Sequence, residues 1–124
     1  MIAPGDPLAK GVFAGPVATE ASYADYQRYA AVAAAAGAVR SGARVMTDAA
    51  FAHGYFVRPT VLSGLPRDHE LVREELFVPI VAVDTVASLD EALAVANDTR
   101  FGLTAGLFSR DKAEVGRASC RERV

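Results

Sequence analysis

One short run, REELFVP at residues 73–79, constrains the fold of this chain more than any other stretch. Adjacent glutamates favour a helix, whereas a proline restricts the residue before it, here Val78, to extended backbone. The segment is therefore predicted to leave a helical turn and enter a strand within a few residues. Junctions of this kind often present side chains to a cleft, so the run is a candidate position for a binding site.

Helix and strand patterns alternate along the rest of the chain. Glycines and prolines punctuate residues 1–17, which predicts a loop. Thr19 and its neighbours offer N-caps for an alanine-rich helix over residues 23–36, with Gly37 as its end. Further helices are predicted at residues 69–75, at 89–97 and from 109 onward, and strands at 42–47, 56–62, 79–86 and 103–109.

Three of these elements carry a more specific expectation. Pro59 lacks an N–H group, which confines the strand at residues 56–62 to a sheet edge or a bulge. The apolar, β-branched run at 79–86 indicates a buried strand. Ser88 and Glu91 have the spacing of a capping box at the start of the helix at 89–97. Together the alternating elements favour an α/β layer with at least part of its sheet parallel, and that layer looks incomplete.

Composition excludes several functional classes. A chain of 124 residues is one domain's worth, and a net charge of −2 argues against a nucleic-acid partner. No apolar run approaches a membrane span, and the start lacks a signal-peptide pattern, so we expect a cytoplasmic protein with no membrane partner. One cysteine excludes an intrachain disulfide framework. His53 and His69 are isolated from each other and from cysteine, so no metal site is expected.

Three runs, taken in order, carry a resemblance to a known family. They are GYFVRPTVL at residues 54–62, EELFVP at 74–79 and EALAVANDTRFGLTA at 91–105. These runs resemble the C-terminal half of the catalytic domain of the aldehyde dehydrogenase superfamily, and the resemblance covers about residues 5–112. Val78 departs from it, because the family usually has glycine there. Within the family, the runs are most similar to the pyrroline-5-carboxylate dehydrogenases of proline catabolism, which oxidise glutamate semialdehyde.

The resemblance implies a fold, a cofactor and a substrate class. It implies an incomplete piece of a catalytic domain with a mixed, largely parallel sheet and flanking helices, from a parent enzyme that forms a homo-oligomer. The implied reaction oxidises an aldehyde to a carboxylic acid with NAD or NADP, through a cysteine nucleophile. Cys120 falls on the wrong side of every matched run, and the chain has no G-x-G-x-x-G motif. We therefore assign no catalytic residue and expect the isolated chain to be inactive.

The resemblance also implies three cofactor-binding residues. Glu75 would accept hydrogen bonds from the hydroxyl groups of the nicotinamide ribose, and Phe77 would pack against the nicotinamide ring. Leu103 would line the same pocket, with Gly102 allowing close approach of the backbone. The alternatives are that Glu75 is a surface acid at a helix end and Phe77 an ordinary core aromatic. Valine at position 78 narrows the backbone conformations beside the ribose, so the cofactor's pose could differ from the family's commonest one.

Asn97 and the chain's last residues lead to different expectations. Asn97 is expected to bind nearby backbone rather than to act in catalysis. Residues 116–124, GRASCRERV, match nothing in the family pattern and turn abruptly basic. We interpret residues 1–115 as a partial catalytic domain and residues 116–124 as a non-native tail, in which Cys120 would have no functional meaning. The alternative for the tail is a solvated basic segment.

A function of another class is also open at this point. The chain could be a small α/β binding or assembly module without chemistry, because fold resemblance alone does not establish activity. An in-frame Gly-Gln-x-Cys-type motif upstream of Met1 would favour the enzyme. A genuine stop codon and a promoter of its own would favour the module.

Overall fold

The computed structural model describes residues 4–119, and of residues 117–119 the backbone only. The chain divides into two compact units, Met1–Asp84 and Thr85–Val124, called here the first and second units. Residues 4–17 of the first unit contain turns and one isolated bridge between Pro4 and Ala14, which confirms the predicted loop there. Residues 1–3 of that loop lie outside the described residues, as does Cys120.

The long helix α1, Glu20–Ala35, begins and ends close to where the sequence predicts. Thr19 is its N-cap, and the Thr19 Oγ1 accepts a hydrogen bond from the Ser22 N–H at 3.0 Å. Gly37 adopts a φ of 65° just beyond the helix, a conformation that glycine reaches without the strain of a side chain. The buried face of α1 is formed by Tyr26, Ala30 and Ala33.

A mixed sheet of three short strands completes the first unit, together with one turn of helix. The elements are β1 (Val39–Ser41), β2 (Thr60–Ser63), α2 (Glu70–Arg73) and β3 (Ile80–Val83). The strand order is β1-β2-β3, with β1 antiparallel and β3 parallel to β2. This arrangement confirms the predicted α/β class with a mixed sheet.

Two of the predicted strands are misplaced. The strand predicted at residues 42–47 is wrong, because Gly42 and Ala43 have φ values of 88° and 54° and so turn the chain out of the extended conformation. Only an isolated bridge between Val45 and Val57 remains there. The strand predicted at 56–62 starts only after Pro59, as β2. The N–H that Pro59 lacks is therefore not needed for a hydrogen bond of the sheet. β2 lies in the centre of the sheet and not at the predicted edge.

Two other strand predictions fail because a strand needs a partner as well as propensity. β3 was expected to be buried, but it is an edge strand, and the exposed fractions of Val81 and Val83 are 53% and 49%. No strand forms at 103–109, since the described residues provide no ladder partner for that segment. Phe108 there is fully exposed.

The core of the first unit consists of two apolar clusters, one at each end of the buried face of α1. The first cluster contains Tyr26, Ala30 and Val57, and the second contains Ala33, Leu62 and Leu71. Ile80, the first residue of β3, packs against both clusters. The start of β3 is therefore fixed to the core, although the strand's later residues are exposed.

The second unit holds α3 (Leu89–Asn97) and α4 (Lys112–Ser119). Ser88 Oγ accepts a hydrogen bond from the Glu91 N–H at 3.2 Å, and Glu91 Oε2 accepts one from the Ala87 N–H at 2.7 Å. The predicted capping box is thus present, with its return bond one residue earlier than usual. Asn97 Nδ2 donates to the Leu93 carbonyl at 2.7 Å, as expected for a backbone-binding side chain.

None of the helices between residues 4 and 119 is long and apolar enough to span a membrane. Across the same part of the chain, no three His, Cys, Asp or Glu side chains are grouped so that they could hold a metal ion.

Candidate functional site

The candidate site begins where α2 ends. His69 caps this helix, since its Nδ1 accepts a hydrogen bond from the Leu71 N–H at 3.1 Å. The helix was predicted to reach Glu75, but Glu74 is already extended, with a ψ of 152°. Leu71 and Leu76 both pack in the second cluster. In a continuous helix, two side chains five residues apart would point in directions that differ by roughly 140°. The chain must therefore leave the helix for both leucines to reach that cluster.

Phe77 lies at the centre of the turn that follows, and its conformation is unusual. Its φ is 52°, in the left-handed region that a bulky residue rarely occupies. Its neighbours are anchored in different places, because Leu76 packs against the second cluster and Val78 against the first. The Phe77 ring points away from both clusters and is 82% exposed. Phe77 is therefore not part of the core of the first unit.

This conformation has an energetic cost. The left-handed region costs roughly 1–2 kcal/mol for a residue with a Cβ, and an exposed aromatic ring forgoes the gain from burial. Such strain persists only where the surroundings impose it, and it is often found at binding sites. Left-handed backbone occurs at Phe77 and not at Val78, whose side chain packs in the core. The valine that departs from the family pattern thus serves as an anchor in this turn.

Hydrogen bonds fix the turn to the sheet on its C-terminal side. The Ile80 N–H donates to the Val78 carbonyl at 2.7 Å, which closes a tight turn around Pro79. The Thr60 N–H donates to the Pro79 carbonyl at 2.9 Å, immediately before the parallel pairing of β2 with β3. Together with the two side-chain anchors, these bonds hold Phe77 in place from both sides.

Glu75 lies in the same turn, two residues before Phe77 and two beyond the end of α2. The residue is exposed, and within residues 4–119 its carboxylate has no hydrogen-bond or ion-pair partner. A carboxylate is an acceptor with several lone pairs, which suits it to binding vicinal hydroxyl groups. The structure thus brings Glu75 and Phe77 together in one exposed turn.

Leu103 belongs to the second unit, where its exposed fraction is 96%. A Cβ built on the neighbouring Gly102 would meet no atom within 4 Å, so the glycine is not required by contacts within that unit. The cofactor roles of Glu75, Phe77 and Leu103 stay predictions. Sequence reasoning missed the left-handed backbone at Phe77, which has no local signal because glycine, asparagine and aspartate are the residues typical of that region.

Comparisons with known proteins agree with the runs described above. The aldehyde dehydrogenase family model matches residues 1–124. The 1-pyrroline-5-carboxylate dehydrogenase of Bacillus licheniformis is 35% identical over 114 residues, which are 92% of this chain and 21% of that protein. The chloroplastic betaine aldehyde dehydrogenase of Beta vulgaris is 35% identical over 116 residues, 92% of this chain and 23% of the relative. The chain thus spans about a fifth of the length of the curated relatives it matches.

Solved structures give the same assignment. Betaine aldehyde dehydrogenase from Staphylococcus aureus, in complex with NAD+, superposes with a TM-score of 0.89 at 29% identity, covering 97% of this chain and 24% of that one. The 1-pyrroline-5-carboxylate dehydrogenase from Thermus with bound NAD has a TM-score of 0.77 at 32% identity, covering 86% of this chain and 20% of that one. The chain therefore belongs to the aldehyde dehydrogenase family.

Proposed function

We propose that this chain contributes the nicotinamide side of the cofactor site in an NAD(P)-dependent aldehyde dehydrogenase. The observation that carries the proposal is the exposed Phe77, held in left-handed backbone between two neighbours anchored in the core. An aromatic ring held outward under strain is suited to receiving a flat ligand ring. The NAD complexes of the Staphylococcus aureus and Thermus relatives support the choice of ligand.

Each proposed site residue has a distinct part. Glu75 accepts hydrogen bonds from the ribose hydroxyl groups and so fixes the sugar's position. Phe77 packs against the nicotinamide ring and restrains its orientation, which adds a modest binding energy but a defined geometry. For Leu103, in the second unit, we propose an apolar contact with the cofactor. When bound, the nicotinamide supplies the hydride-accepting chemistry, and these residues bind and orient it.

For the substrate we propose an aldehyde, with glutamate semialdehyde as the first compound to assay. The relative from Bacillus licheniformis and the EELFVP run support this choice. A betaine aldehyde dehydrogenase is equally identical, so substrate assays should include betaine aldehyde. We also propose that residues 1–115 form the catalytic-domain portion and residues 116–124 a non-native tail, although α4 runs across that boundary to Ser119.

The product of the complete open reading frame that contains this sequence is called here the complete enzyme. The variant Glu75→Gln of the complete enzyme tests the proposal. Hydrogen bonds to a charged group contribute about 1.5–3 kcal/mol, so the Kd for NADH is expected to rise at least about tenfold. Fluorescence titration of NADH measures this Kd.

The matched control is Glu74→Gln, which removes the adjacent exposed carboxylate and should change the Kd less than about twofold. Equal effects of the two variants, or no effect of Glu75→Gln, would contradict the assigned role. A complete reading frame without a nucleophilic cysteine or a nucleotide-binding domain would favour the non-catalytic module instead.

Purified residues 1–124 are expected to show no NAD-dependent oxidation of glutamate semialdehyde. The only cysteine, Cys120, lies beyond every run that matches the family, and no G-x-G-x-x-G motif is present. NADH formation followed by absorbance is the measurement, with the complete enzyme as the positive control. NADH formation by the 124-residue chain would show this expectation wrong, provided that the Phe77→Ala variant of the same chain does not form NADH.

A further inference from the structure

Two buried hydroxyl groups lie behind the turn that holds Phe77. Tyr26 on α1 is fully buried and Thr60, the first residue of β2, is 2% exposed. Their side-chain oxygens are 2.8 Å apart. A buried hydroxyl costs free energy unless it is hydrogen-bonded, so a pair of this kind is retained only where its partners are well placed.

The pair ties three separate segments together. Tyr26 Oη donates to the Arg58 carbonyl at 2.6 Å and accepts from the Arg44 N–H at 3.2 Å. Thr60 Oγ1 accepts from the Ala43 N–H at 2.8 Å. No buried side-chain nitrogen or oxygen among the described residues lacks a partner, so this network is complete.

Gly42 shows how closely the segments approach. A Cβ at this position would lie 2.4 Å from the Pro59 carbonyl oxygen and 2.7 Å from Thr60 Oγ1, and both contacts are too short for any side chain. Its φ of 88° also favours glycine. Only glycine at position 42 leaves room for the Thr60 hydroxyl to reach its hydrogen-bond partners.

Thr60 connects this network to the proposed cofactor site. While its hydroxyl is held by the network, its N–H donates to the Pro79 carbonyl at 2.9 Å, the first bond between β2 and the turn. Thr60 also pairs with Ile80, so the start of β3 is set by the same residue. Phe77 is two residues before Pro79, which leaves a short path from the Thr60 hydroxyl to the strained backbone.

We propose that Thr60 is a positioning residue that keeps the Phe77 turn in its binding conformation, an inference that rests on the proposed function. Without the hydroxyl, the Ala43 N–H loses its acceptor while the Tyr26 hydroxyl keeps its bonds to residues 44 and 58, and the start of β2 shifts to satisfy the Ala43 N–H. The Thr60–Pro79 bond then lengthens, and Phe77 relaxes out of left-handed backbone. The rest of β2 stays in place because Leu62 is fully buried.

The test uses the complete enzyme with the nearly isosteric Thr60→Val and the hydroxyl-retaining Thr60→Ser. Thr60→Val should weaken NADH binding about five- to tenfold and raise the KM for NAD while kcat changes little. Thr60→Ser should bind NADH within about twofold of the parent, because the acceptor oxygen remains. Thr19→Ala is the stability control, since it removes the N-cap of α1, which lies outside the hydroxyl network and both core clusters, and should leave the Kd unchanged.

The outcomes separate this inference from the proposed function. If Phe77→Ala weakens NADH binding while Thr60→Val does not, the positioning role is wrong and the proposed function stands. If Thr60→Val and Thr19→Ala weaken binding equally at equal loss of thermal stability, Thr60 acts through the fold and the positioning role is again wrong. If Phe77→Ala has no effect, both proposals fail. Should Thr60→Val not fold, Tyr26→Phe removes the other hydroxyl and carries the same expectation.

Discussion

Replacing Phe77 with glycine is expected to stabilise the fold and, at the same time, to weaken cofactor binding. Glycine adopts a φ of 52° without strain, and the exposed ring that is lost contributes little to the core. After the entropic cost of glycine, the gain in the free energy of unfolding should be up to about 1 kcal/mol. Loss of the ring should raise the Kd for NADH about tenfold or more. Thermal melts and NADH titrations of the complete enzyme measure the two effects.

Phe77→Ala is the matched control, because it removes the ring but keeps the Cβ that causes the strain. It should weaken NADH binding about as much as Phe77→Gly while leaving the melting temperature near that of the parent. Opposite signs for stability and affinity are the signature of a residue strained for binding. A glycine variant that is less stable than the alanine variant would show that the left-handed backbone is not strained. An unchanged Kd in both variants would remove Phe77 from the site.

The isolated 124-residue chain is expected to self-associate through β3. This strand pairs only with β2 among the described residues, and the side chains of Val81 and Val83 are half exposed. Its sequence, IVAV, contains no charge or proline that would block further pairing. An apolar edge of this kind is a template for pairing with a second copy. Sedimentation velocity at micromolar concentrations should therefore show dimers or larger species.

Val81→Lys tests the position of the contact, because a lysine on an edge strand opposes pairing with another chain. The variant should sediment as a monomer, while Ala21→Lys, which adds the same charge on an exposed part of α1, should associate like the parent. A parent chain that stays monomeric over the same concentrations would contradict the expectation. Association that Val81→Lys does not change would place the contact elsewhere.

The sequence predicts the helices well, because their signals are local. The caps at Thr19 and Ser88 and the stop at Gly37 are each formed by residues within a few positions of the helix end. Strands are predicted less well. The left-handed φ at Ala43 is not encoded locally, and the position of Pro59 just before β2 is seen only once the ladder is known. Exposure of β3 depends on sheet order, which propensity does not contain.

The candidate site shows the same division between local and long-range information. The run at residues 74–79 identifies Glu75 and Phe77 through their resemblance to the family, and the structure brings both into one exposed turn. The strain at Phe77 is set by the packing of Leu76 and Val78 against different clusters, one on each side of it. Those clusters are built from residues distant in sequence, so no local sequence pattern could have predicted the strain at Phe77.

The most direct test of the cofactor assignment is a crystal structure of the complete enzyme with NAD+. We expect a Glu75 carboxylate oxygen at about 2.5–3.0 Å from a hydroxyl group of the nicotinamide ribose. The Phe77 ring should be in van der Waals contact with the nicotinamide, with the Phe77 backbone still in the left-handed region. A cofactor whose nicotinamide half lies away from both side chains would show the assignment of Glu75 and Phe77 wrong.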